Sequence, residues 1–269
     1  MPAAQSNRVK SPDAQISYWT LGDGPPLVLL HPFPVNHEFW APVAESLAAR
    51  YRVIMPDLRG HGDSDVGDGP ATMEKHAADI AHVMDDADVG RAPFVGVSIG
   101  GYALFEFWRS YRGRVAALVL CNTKASADTA EARAGRIRAA NDVLERGTEL
   151  FFEATIAKLL GKTTREARPD LIADAMRMMR KMSPEDVAQV QRGMAERPDS
   201  MDTLKTINVP TLLVTGEEDV MTGVNEAEVM HGNIAGSQLR VIAKAGHYSP
   251  WEQPQEATRL LRQFLDRLV

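Results

Sequence analysis

The sequence predicts an α/β protein: a mostly parallel central sheet flanked by helices, with a helical cap inserted late in the chain. Three observations predict it. Short, wholly apolar runs recur along the chain. Helical patterns separate most of them. The alternation then stops over residues 124–208, where helical patterns follow one another without a strand-like run between them. A strand buried on both faces reads as an unbroken apolar run, and such strands alternating with helices build parallel sheets.

The expected strands span residues 27–30, 53–55, 94–97, 115–120, 211–214 and 239–242. The expected helices include 40–49, 75–86 and 101–111, the last with Tyr102, Phe105 and Trp108 at helical spacing. Turn signals punctuate the inserted stretch at Gly147, Gly161, Pro169, Ser183-Pro184 and Arg197-Pro198. The chain therefore divides into a first core segment (1–123), a cap (124–208) and a second core segment (209–269). Methionine is dense in the cap, at Met176, Met178, Met179, Met182, Met194 and Met201. Thioethers fill irregular gaps between helices, and Met176 and Met179 are also candidates for an adaptable apolar pocket wall.

With 269 residues and 44% hydrophobic content, the chain can bury one large core. A net charge of −6 with no long basic run argues against nucleic-acid or anionic-membrane partners. The one cysteine, Cys121, allows no intrachain disulfide, and the apolar run before it marks a buried structural thiol. No Cys/His cluster has zinc-ligand spacing. Residues 1–10 are polar, and no segment has the length of a membrane span, so a cytoplasmic location is the expectation. The cap surface fits a homodimer contact as well as a pocket wall.

The stretch Gly96-Val97-Ser98-Ile99-Gly100 lies between an expected strand and an expected helix. Glycines two before and two after the serine allow a sharp turn without a Cβ clash. That turn lifts a hydroxyl clear of the carboxyl edge of the sheet, where ligands of such sheets bind. A serine nucleophile needs a base and a carboxylate that fixes the base. Of the seven histidines, His247 is best placed, beside a glycine and just past an expected strand. Asp219, Glu217 and Glu218 all follow the strand at 211–214 and compete for the acid's role. Donors for an oxyanion would be the N–H of Ile99, after the serine, and the N–H of Phe33. Phe33 stands between Pro32 and Pro34, which have none.

Taken together, these segments resemble the α/β-hydrolase superfamily over essentially the whole chain. The matching segments are His31-Pro-Phe-Pro34, Asp57-Leu-Arg-Gly-His-Gly-Asp-Ser64, Gly96-Val-Ser-Ile-Gly-Gly101, Gly216-Glu-Glu-Asp219 and Gly246-His247. The order Ser98, Asp219, His247 is that superfamily's triad order, and its pattern favours Asp219 as the acid. Within it the chain is most similar to the carboxylesterase and 3-oxoadipate enol-lactonase-like group. Leu118-Val-Leu-Cys-Asn-Thr123 also resembles that group. Ile99 stands where many of those enzymes carry methionine, and the His-Pro-Phe-Pro loop departs from the usual lactonase form. The resemblance makes Asp57–Ser64 a structural turn and gives His31 a part in shaping the oxyanion loop. His31 and Tyr248 are further candidates for touching substrate.

The implied activity is hydrolysis of small to medium carboxylic esters through an acyl-enzyme, without metal or organic cofactor. Lactone hydrolysis, cofactor-free perhydrolysis and carbon–carbon bond hydrolysis use the same triad and remain alternatives. A small-molecule receptor of the same fold is the alternative that is not an enzyme. The serine at the turn sets the chain apart from dehalogenases and epoxide hydrolases, which resemble it but carry aspartate there.

Overall fold

A computed structural model describes residues 4–268. Its sheet has eight strands among the described residues: β1 (Gln5–Lys10), β2 (Gln15–Leu21), β3 (Pro26–Leu30), β4 (Arg52–Pro56), β5 (Ala92–Val97), β6 (Val115–Cys121), β7 (Thr211–Gly216) and β8 (Gln238–Ile242). Their order is β1-β2-β4-β3-β5-β6-β7-β8, with β2 antiparallel to both neighbours and the other pairings parallel. All six runs expected as strands are strands. The polar stretch 1–10 contributes β1; its residues 1–3 and the chain's residue 269 lie outside the described residues.

The helices of the core are α1 (Ala41–Ala48), α2 (Met73–Asp86) and α3 (Ile99–Tyr111). The chain moves one way across the sheet from β3 to β4, then back past β3 to β5 and on to β6. Right-handed crossovers therefore put α1 on one face and α2 and α3, which pack together, on the other. The reversal makes β3 and β5 neighbours, with Leu30 level with Gly96. The loops that follow them, starting at His31 and Ser98, thus emerge side by side at the switch point of the sheet.

Between β6 and β7 lie α4 (Ala130–Arg146), α5 (Glu149–Leu159), α6 (Lys162–Ala167), α7 (Pro169–Met179), α8 (Pro184–Ala195) and α9 (Met201–Leu204). The turn residues fall at their ends for local reasons. Gly147 closes α4 at φ 80°, where a side chain would be strained. Pro169 and Pro184 occupy first helical positions, where a missing N–H costs nothing. Ser183 caps α8 in a reciprocal box with Asp186. After β7 come α10 (Val224–Asn233), and after β8 α11 (Ser249–Glu252) and α12 (Pro254–Leu265), which packs on α1. Among the described residues, no helix is long and apolar enough to cross a membrane.

Candidate active site

Ser98 lies between β5 and α3, at the N-cap of α3, with φ 54° and ψ −113°, a backbone state costly for a residue with a Cβ. Its neighbours hold it there. Its N–H donates to the Cys121 carbonyl (3.0 Å), and its carbonyl accepts from Tyr102 N (3.1 Å) and Thr123 Oγ1 (2.9 Å). The turn also needs close backbone approach. A Cβ on Gly96 would lie 2.7 Å from the Gly100 carbonyl oxygen, and one on Gly100 would lie 2.6 Å from that of Leu30. The Ser98 hydroxyl makes no capping bond to its own helix. It faces a cavity of about 470 Å³ whose wall includes Phe33, Tyr102, Thr222 and His247.

Strand pairing brings the other loops to the same edge. Val214 of β7 is level with Cys121 of β6, and Ile242 of β8 with Gly216 of β7. The Asp219 loop, the Asn122 turn and the His247 loop therefore meet. His247 Nδ1 lies 2.9 Å from Asp219 Oδ2. That carboxylate is saturated with donors: Asn122 Nδ2 (2.8 Å), Thr222 Oγ1 (2.9 Å) and the N–H groups of Met221 (2.8 Å) and Thr222 (3.1 Å). Burial alone would raise the Asp219 pKa. His247, Asn122 and the Thr222 N–H outweigh it and hold the carboxyl well below its usual range. Of the competing acids, Glu217 accepts from the Lys244 N–H and Glu218 from Thr163. Neither is bonded to His247.

The histidine loop is clamped from two sides. Its N–H groups at His247 and Tyr248 donate to the Leu159 carbonyl at the end of α5. Glu252 Oε1 accepts from Gly246 N (2.9 Å) and Tyr248 N (3.1 Å), while its Oε2 accepts from Gly161 N (2.8 Å). Burial raises the Glu252 pKa against the lowering effect of these donors. On the β3 side, His31 Nδ1 donates to the Pro32 carbonyl (2.9 Å), and the Tyr248 hydroxyl donates to the Phe33 carbonyl (3.0 Å).

Several expected substrate contacts lie elsewhere. His31 is fully buried, its Nε2 accepting from Leu58 N at 2.9 Å, so it braces a loop instead of lining the cavity. Tyr248 is likewise buried and spends its hydroxyl on Phe33. Met176 and Met179 are packed into the core away from the cavity, because the apolar face of α7 turns inward between helices. The methionines at the cavity are Met194 and Met221. The Asp57–Ser64 segment is a bonded turn: Asp57 accepts from His37 and Asp63, and Arg59 pairs with Asp79 and Asp13. Cys121 is buried, which pushes its thiol pKa up and leaves it inert. Asn122 and Thr222 escaped the sequence reading, although Asn122 stands where a buried strand ends. Among the described residues, no group of three or more His, Cys, Asp or Glu side chains is arranged to hold a metal ion.

Comparison with known proteins gives a consistent result. A family model described as alpha/beta hydrolase fold matches residues 25–254. A thermophilic esterase from Thermogutta terrifontis, solved with malate bound, superposes with a TM-score of 0.95. It is 37% identical, with 98% of this chain and 99% of that one covered. The enol-lactonase from Burkholderia xenovorans superposes with a TM-score of 0.88 at 25% identity, covering 94% and 97%. In sequence, 3-oxoadipate enol-lactonase 1 of Acinetobacter baylyi is 25% identical over 243 residues, 90% of this chain and 89% of that protein.

Proposed function

The chain belongs to the α/β-hydrolase fold family, and from that premise we propose that it hydrolyses small to medium carboxylic esters through an acyl-enzyme on Ser98. One observation carries the reading. Ser98 is held at a positive φ facing a cavity that it shares with His247, whose Nδ1 is bonded to Asp219. With Nδ1–H donating to Asp219, His247 Nε2 carries no proton and is the base. It takes the Ser98 proton as Oγ attacks the ester carbonyl, then gives it to the leaving alcohol. Asp219, kept ionised by its donors, stabilises the imidazolium formed in between. The N–H groups of Phe33 and Ile99 serve as oxyanion donors, each worth roughly 10²–10³ in rate. Deacylation by water, with His247 again as base, returns the free enzyme. Residues 124–208 act as the cap over this site.

The similarity to the Thermogutta esterase supports an ester substrate. The similarity to the enol-lactonases favours a second reading, a lactone, which would open on the same serine by the same steps. The test is hydrolysis of p-nitrophenyl esters from acetate to decanoate by the wild type and Ser98→Ala. The expected result is nitrophenol release by the wild type, reduced at least ~10⁴-fold in the variant. Undiminished turnover by Ser98→Ala would overturn the mechanism.

A further inference from the structure

The cavity that holds Ser98 and His247 also carries charge that ester hydrolysis does not use. Its wall includes Lys124, Arg136 and Lys158, against one carboxylate, Asp128. The chain as a whole has a net charge of −6, so this cationic wall runs against the composition. Asp128 does not neutralise it. Its Oδ1 is already engaged by Arg197 Nη2 at 3.0 Å, while Arg136 Nε bonds its Oδ2 at 2.5 Å and Lys124 Nζ stands 3.5 Å from Oδ1. Burial opposes ionisation of Asp128, but Arg136, Arg197 and Lys124 hold its pKa below the usual range, so it stays charged. Three cations around one anion leave an excess of two positive charges.

The cluster is built, not incidental. Asp128 anchors the Nε edge of Arg136, and Gln191 Oε1 accepts from Nη1 at 3.2 Å. Nη2 has no protein acceptor among the described residues. On α4 the cavity face is Ala132, Gly135, Arg136 and Ala139, so small side chains leave open the space beside the guanidinium. Lys124 lies one residue past Thr123, which is bonded to the Ser98 carbonyl. The side chains of Lys124 and Arg136 are only 21% and 22% exposed, so solvent screens them less than surface charges.

We propose, on the premise that Ser98 is an esterase nucleophile, that the preferred substrate is a monoester of a dicarboxylic acid. Its ester carbonyl sits at Ser98, and its free carboxylate is received by the Lys124 ammonium and the Arg136 guanidinium. Ser98 Oγ forms the acyl bond as the alkoxide leaves and takes the proton from His247. The acyl-enzyme then carries a free carboxylate, and water releases the diacid.

Monomethyl glutarate and monomethyl adipate are compared with methyl hexanoate, following proton release at constant pH. The selectivity is the ratio of kcat/KM for the anionic ester to that for the neutral one. A ratio above ~10 at low salt, falling in about 0.5 M NaCl, is expected from charge-assisted bonds to two cations. In Lys124→Met and Arg136→Gln the ratio drops at least ~5-fold, and Lys124→Glu carries it below one. Among the described residues Lys124 has only the long contact to Asp128, so its variants test the idea even if Arg136→Gln unfolds. A wild type that cleaves p-nitrophenyl acetate but shows a ratio near one overturns the carboxylate site and leaves the esterase reading intact. If no ester is cleaved at all, calorimetry of glutarate with Ser98→Ala protein decides. Binding that is lost on adding Lys124→Met upholds the anion site alone, and no binding ends both readings.

Discussion

The side-chain amide of Asn122 donates to Asp219 Oδ2 at 2.8 Å, tying the turn after β6 to the loop after β7. Asn122 is itself fixed: its Oδ1 accepts from Ser249 Oγ at 2.5 Å, and its Nδ2 also reaches the Gly246 carbonyl at 3.1 Å. One residue thus braces the acid and the histidine loop together. It sits at φ 43°, a state that Asn and Asp tolerate better than other side chains.

Asn122→Asp keeps the shape and the backbone preference but sets a second carboxylate against Asp219. Like charges at this distance disfavour joint ionisation and increase the pull on a proton at the imidazole. The expected result is a loss of about tenfold or more in kcat/KM at neutral pH, with the acid limb of the profile moved to higher pH. A pH–rate profile on one p-nitrophenyl ester measures both. An unchanged profile would mean that Asn122 does not act through Asp219.

Tyr248→Phe removes a single bond, from the hydroxyl to the Phe33 carbonyl, and leaves the buried ring in place. That bond joins the histidine loop to the loop carrying Phe33, the proposed oxyanion donor. The net worth of one such bond is about 0.5–1.5 kcal/mol, which sets an expected loss of roughly 2- to 10-fold in kcat. KM should change little, since the tyrosine lies outside the cavity wall. A rise in KM at constant kcat would instead mark Tyr248 as a substrate contact.

Glu252→Gln tests how the Gly161 turn, between α5 and α6, and the histidine loop are held together. Both carboxylate oxygens accept N–H groups, from Gly246 and Tyr248 on one side and Gly161 on the other. An amide offers one oxygen, so its NH₂ must face at least one buried N–H. An unsatisfied buried donor costs about 1–3 kcal/mol. Urea unfolding should show a loss of that order, together with a lower kcat. Wild-type stability in the variant would show that the clamp is not formed.

The sheet was legible wherever strands are buried on both faces, because β3 to β7 announce themselves as apolar runs. β1 and β2 were not. β1 is an edge strand, paired on one side and largely exposed, so Gln5–Lys10 carries no apolar run. The triad candidates were legible because each lies in the turn or loop that follows a strand. Their bracing was not: Asn122 and Asp219 are 97 residues apart, and only the parallel pairing of β6 with β7 brings them together. Lys124, in the loop after β6, and Arg136, on α4, belong to no sequence motif that marks them as a pair. Their shared partner is Asp128, which also pairs with Arg197 across 69 residues of sequence. Met176 and Met179 were singled out by composition, which does not tell that the cavity is lined by Met194 and Met221 and by no residue of α7.

Acid sensitivity follows from three histidines that the chemistry does not use. His31, His61 and His76 are buried together beneath the loop after β3. Burial, reinforced by His61, pushes His31 from 6.5 to about 3, and burial lowers His61 and His76 as well. The unfolded chain therefore takes up protons near pH 6.5 that the native state refuses. Stability conferred by these groups is full above pH 6.5 and falls as pH drops towards the native values. Each fully differing histidine contributes a slope of about 1.4 kcal/mol per pH unit. Carboxylates held low in the native state, such as Asp219 and Asp57, act in the same direction, but only as pH approaches 3.8. Glu252 and Asp79, raised by burial, act in the opposite direction, so a histidine's share over pH 6 to 5 is read from a variant lacking it. His76 serves here, because both its ring nitrogens are buried without a protein partner among the described residues. His76→Leu removes one titrating group and two unmet polar atoms. It should leave stability at pH 7.5 unchanged or higher, and cut the pH slope between 6 and 5 by about one proton's worth. Urea unfolding across that interval measures both quantities. A slope identical to the wild type's would mean that His76 takes up its proton without unfolding.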